Sequence, residues 1–135
     1  MRHASLLVIV VIAFAAATSL GARQSSRDSL TVKEVMATMT APGSDAVFAA
    51  AADTPAWDAV RMGAALVEQS GQLLMTGERV RDRDAWLQNA RDLIARAEAA
   101  RRIAETTKNA DALIEASDRL YETCETCHGR YLPAH

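Results

Sequence analysis

Aromatic side chains are scarce in this chain. Two Trp, two Tyr and two Phe make up only 4% of its 135 residues, too few for the thick core of a β-sandwich. Cysteine is scarcer still, at two residues, so any thiol chemistry is confined to one place. No block of like charge stands out. The 15 Lys and Arg face 17 Asp and Glu, and the arginines alternate with acids instead of forming the basic stripe that nucleic-acid binding needs. The longest apolar run, from Leu6 to Ala17, falls short of the roughly 20 residues of a membrane-spanning helix. After residue 22 no alternating apolar/polar stretch of useful length occurs, so strands are not expected. The length suits one domain and is too short for two of ordinary size.

Half the residues are apolar, and alanine, leucine and valine supply most of them, which favours closely packed helices. The opening "MRHASLLVIVVIAFAAATSLGARQ" has a basic start, an apolar middle and a small-residue region, the layout of a secretory signal. Residues 1–22 are read as a signal peptide cleaved between Ser19 and Ala22, and 23–135 as the mature domain. An uncleaved anchor is the alternative. No cysteine follows the apolar run, which argues against a lipoprotein. The expected location is the periplasm, and the expected mature protein is free of the membrane unless the signal is retained. Removing Arg2 from the 15 basic residues leaves 14 against 17 acids, a net charge near −3. In an oxidising compartment a free thiol pair would not persist unaided.

The mature chain repeats a three-and-four spacing. A first helix is expected from Thr31, with Thr31 and Glu34 as a capping box and Val32, Val35, Met36 and Met39 on one face. Pro42 and Gly43 interrupt it, yet "SDAVFAAAAD" reads as further helix, so a kink is expected there. Thr54-Pro55 looks like the start of a second helix, carrying Trp57, Val60, Ala64, Val67 and Leu74. Asp82 or Asp84 caps a third, with Trp86, Ala90, Ile94, Ala97 and Ala104. After the polar "TTKN" comes a fourth, in which Leu113, Ser117, Leu120, Cys124, Cys127 and Tyr131 alternate four and three apart. Four amphipathic helices with short links point to an all-α antiparallel four-helix bundle.

The two cysteines fall in "YETCETCHGRYLPAH". On a helix, Cys124 and Cys127 lie about 60° apart and His128 about 40° from Cys124, so all three face one side. C-x-x-C-H is the attachment signature of c-type haem: the sulfurs meet two fixed ring substituents while the imidazole stays under the iron. A thioredoxin-like pair normally sits in a βαβ context, which is missing. A zinc site using Cys124, Cys127, His128 and His135 would need the helix to unwind. A plain disulfide would cross-link little chain and leave His128 unexplained.

With the tail "CETCHGRY" on a fourth helix, behind an export signal, the sequence resembles the class II cytochromes c, which include cytochrome c′ and the low-spin cytochromes c-556. The resemblance implies an antiparallel bundle with one haem c held covalently on the C-terminal helix. It implies thioethers at Cys124 and Cys127 and a proximal iron ligand at His128. Low-spin relatives carry an axial methionine in a first-helix setting similar to "VKEVM", which maps onto Met36, with Met39 as the alternative. His/Met ligation raises the reduction potential, and the implied function is one-electron transfer between exported redox partners. Relatives without that methionine leave the iron five-coordinate and bind small gases such as NO or CO. The family's habit of pairing through its first two helices implies a homodimer, with apolar surface around Phe48 as one place to look. No serine or carboxylate constellation surrounds the tail, so an enzyme is not expected. Where the family often has a basic residue after the aromatic, Leu132 follows Tyr131, and Arg130 reads as a surface arginine.

Overall fold

The computed structural model describes residues 29–52 and 54–132. The signal-like segment and His135 lie outside the described residues. Among the described residues no helix is long and apolar enough to cross a membrane.

From Thr31 onwards the described chain is helical, in four helices joined by short links. The first, α1, runs in three stretches: α-helical over Val32–Val35, π-helical over Met36–Thr40, and α-helical again over Ala41–Ala52. Its start is the expected capping box. Glu34 N–H donates to Thr31 Oγ1 at 3.3 Å, and Thr31 N–H donates to Glu34 Oε2 at 2.8 Å. The interruption at Pro42 takes the form of a π turn, and the helix continues through it. Proline has no N–H and its ring crowds the carbonyl four residues back. Widening the preceding turn relieves that crowding, and Ala41 N–H donates to Met36 O, five residues back. The buried face records the extra residue. It steps five from Val35 to Thr40, then three and four through Gly43, Ser44, Val47 and Ala50.

Helix α2 spans Trp57–Leu74 and starts later than expected. Ala56, with ψ of 82°, is not helical and makes no side-chain cap, so Thr54 and Pro55 stay outside. Its buried row is Val60, Ala64, Val67, Ser70 and Leu74, with Gly63 and Gly71 between them. Gly63 meets Gly43 of α1 backbone to backbone: a Cβ on Gly63 would stand 2.5 Å from Gly43 O, and one on Gly43 would stand 2.6 Å from Gly63 O. Only two glycines permit that approach. At the C-terminus of α2, the buried Arg79 turns back from a 3-10 turn (Gly77–Arg79) and donates through Nε to Leu73 O at 2.6 Å, a carbonyl that also accepts from the N–H and hydroxyl of Thr76.

Helix α3 spans Arg83–Glu105, and of the two candidate caps Asp82 is the one used. Its buried row is Trp86, Ala90, Leu93, Ala97, Ala100 and Ala104. Ile94, expected in the core, is half-buried and instead lies over Gly71 of α2. Helix α4 spans Ala110–Tyr131, capped by Asn109, whose side chain accepts from Ala112 N–H at 2.9 Å. Leu113, Ser117 and Leu120 are buried as expected, and Cys124, Cys127 and Tyr131 are half-buried. Helix α2 packs on α1 and α3, α4 packs on α3, and a thinner contact joins α4 to α1. These contacts fit a bundle. They also leave α1 and α4 the least closely packed pair of neighbours.

Candidate functional site

The thin contact between α1 and α4 is where the candidate site lies. An apolar cleft of about 890 Å³, its open mouth included, is walled by α1, α3 and α4. From α4 come Cys124, Cys127 and His128 (with Tyr121 and Thr123), so the three motif residues share one cavity. From α1 come Met36, Thr40, Ala41, Ser44 and Phe48. The far wall is Trp86, Asn89, Ala90 and Leu93 of α3, with Leu74 at the end of α2. A largely apolar wall with a few polar groups is the usual make-up of a cofactor pocket.

Met36 is half-buried and lines the cleft. Met39 is also half-buried but is not among the lining residues. The two methionines, equivalent by helical spacing, are therefore separated by the structure. Phe48 is half-buried and lines the cleft. Its ring stands edge-on to Tyr121, centroids 6.1 Å apart, linking α1 to α4 at the cleft. Met62 and Leu66 of α2 are the exposed large apolar side chains on the first two helices, at 56% and 36%.

The electrostatics of the thiols follow from their position. Burial, then the neighbouring Cys127, pushes the Cys124 thiol above its ordinary value, and burial does the same for Cys127. Redox-active C-x-x-C thiols are lowered by a helix N-terminus or nearby cations. These two sit near a helix C-terminus in an apolar cleft, the opposite setting. A thioredoxin-type role finds no support here.

Next to the motif, the half-exposed Arg130 pairs with Asp82 of the α3 cap at 3.4 Å and lies 5.7 Å from the Tyr131 ring centroid. It is engaged with the protein and not merely solvated. Tyr131 donates its hydroxyl to Asp82 at 2.7 Å, and that bond is the main reason the Asp82 carboxyl sits below its ordinary value. Sequence reasoning placed Trp86 in the core and overlooked Tyr121. Tyr121 stands three residues before Cys124 and seven before His128, so the same helical spacing that groups the motif would have included it.

Set against known proteins, the chain matches no family model, no curated protein and no solved structure.

Proposed function

We propose that this chain is an exported c-type cytochrome of the class II kind: an antiparallel four-helix bundle carrying one haem c and transferring single electrons between redox partners in the periplasm. The observation that carries the reading is the convergence of four side chains on one apolar cleft. Cys124, Cys127 and His128 of α4 face it from one side and Met36 of α1 lines it too, two thiols and two iron-ligand types around a space suited to a flat apolar macrocycle.

The cofactor supplies a reversible one-electron iron couple when bound. The residues do the rest. Cys124 and Cys127 would hold the group covalently through their sulfurs, side by side on one face of α4. His128, directly after the second thiol and lining the same cleft, would supply an imidazole ligand from α4. Met36 would offer a soft thioether from α1 as the second ligand, a pairing suited to electron transfer and not to substrate binding. Trp86, Leu93, Leu74 and Phe48 give the cleft apolar walls, which would limit solvent reorganisation when charge changes. Met62 and Leu66 offer apolar surface for the homodimer through the first two helices.

The test is a visible spectrum of the exported protein, oxidised and reduced, with and without carbon monoxide, followed by acid–acetone extraction. Colour that stays with the polypeptide, sharp reduced bands and no change with carbon monoxide are the expected result. Broad bands that shift with carbon monoxide would make the protein a gas binder with an open iron. Colour lost to the solvent would remove the covalent attachment, and a colourless protein from a host competent in haem attachment would return the motif to zinc or a disulfide.

A further inference from the structure

One carboxylate ties the last turn of α4 to the first turn of α3. Asp82 Oδ1 accepts from the backbone N–H groups of Ala85 at 3.0 Å and Trp86 at 3.2 Å. Its other oxygen, Oδ2, accepts the Tyr131 hydroxyl at 2.7 Å and faces Arg130 Nη2 at 3.4 Å. The Tyr131 ring stands edge-on to Trp86, centroids 4.9 Å apart and planes at 74°. Trp86 is itself held, donating its indole N–H to Leu74 O at 2.6 Å. The two ends of this chain of contacts are the haem-motif helix and the cleft wall.

The N-cap and the ring contact stabilise the start of α3, but the ion pair adds little to that. The Asp82 and Arg130 side chains are 45% and 57% exposed, and ion pairs in water contribute little. What the contacts do fix is rotation. Tyr131 stands four residues after Cys127 and three after His128, so the three share one side of α4. A helix about 10–12 Å across moves a side-chain tip about 1 Å for every 10° or so of roll about its axis. Holding the Tyr131 hydroxyl holds that roll.

We propose that Asp82, acting through Tyr131, is a positioning residue for His128: the bond between them sets the roll of the last turns of α4 and so the orientation of the imidazole in the cleft. The inference rests on the haem reading above. Neither Asp82 nor Tyr131 is among the cleft-lining residues, and both act through the helix that carries the ligand.

Two substitutions in the holoprotein isolate the bond. Tyr131→Phe leaves the ring against Trp86 and removes the hydroxyl. Asp82→Ser keeps a good N-cap oxygen for α3 but is too short to reach Tyr131. Electron paramagnetic resonance of the oxidised protein is the readout, because the g values of haem iron report how its axial ligands are oriented. Both variants should shift the largest g value in the same direction, and the double variant should shift it no further than the larger single. Thermal unfolding, recorded alongside, should change little in Tyr131→Phe. Unmoved g values in coloured, folded variants would overturn the inference and leave the haem reading intact, as would shifts that simply add in the double variant. Tyr131→Phe decides alone if Asp82→Ser does not fold. A colourless parent protein would overturn both.

Discussion

On the haem reading proposed above, a methionine at a single position would separate an electron carrier from a gas binder. Met36 and Met39 are three apart on α1, and helical spacing alone puts both on one face. The cleft takes Met36 and leaves Met39 out of its lining. Met36→Ala should therefore turn a low-spin spectrum high-spin and let carbon monoxide bind, while Met39→Ala should leave the spectrum low-spin; the reverse pattern in visible absorption would reassign the ligand. The motif residues were legible in the sequence because their geometry is local. Three positions five residues from end to end share a face wherever the helix lies. Tyr121 obeys the same rule and could have been read. Trp86 was legible as core but not as a wall of the cleft, because only packing of α3 against α4 decides what a buried side chain faces.

Among the elements, α1 shows most clearly where reading by period fails. In a regular α-helix Met36 and Phe48 would point about 120° apart. A π turn acts as one inserted residue. Counting one residue fewer brings the two to within about 20° of each other, and both line the cleft. Pro42 announced a disturbance, and no sequence rule converted it into a change of face. The cap at Thr31 was legible and the one at Asp82 was one of two candidates, while Asn109 reads in the sequence only as the end of a polar step and not as the cap it forms. The start of α2 was not legible, since the non-helical Ala56 carries no signal of its own. The Thr31 cap also has a pH dependence. Bonds from the Thr31 hydroxyl and then its N–H hold the Glu34 carboxyl below its ordinary value of 4.5. A depressed carboxylate stabilises the fold above its unfolded value and loses that contribution as pH falls through the folded one. Protection factors of the first-turn amides of α1, exchange rates taken relative to the intrinsic rate at each pH, should accordingly fall on acidification below 4.5, and Glu34→Gln should flatten that dependence.

The four-helix unit is closed on three sides by direct helix packing and opens on the fourth into a cleft. Helices α1 and α4 meet thinly, and Trp86, Leu93, Leu74 and Phe48 stand around the gap. An occupant of the cleft would supply the apolar contacts that other neighbouring helices make directly. Cys124→Ser with Cys127→Ser, produced without haem, should therefore unfold at lower denaturant than the loaded protein, by more than the roughly 2 kcal/mol at which large-to-small core changes begin; equal midpoints would mean the cleft contributes nothing to holding α4. Trp86 gives that cleft one more property. Its indole is 4% exposed and lies in the cavity wall, so its emission should be blue-shifted, and a chromophore absorbing in the near ultraviolet or visible would drain its excited state by energy transfer. The other tryptophan, Trp57, lies at the start of α2 and outside the cleft lining. Wall and lamp are then the same side chain: the fold carries its own fluorescent gauge of whether the cavity is filled.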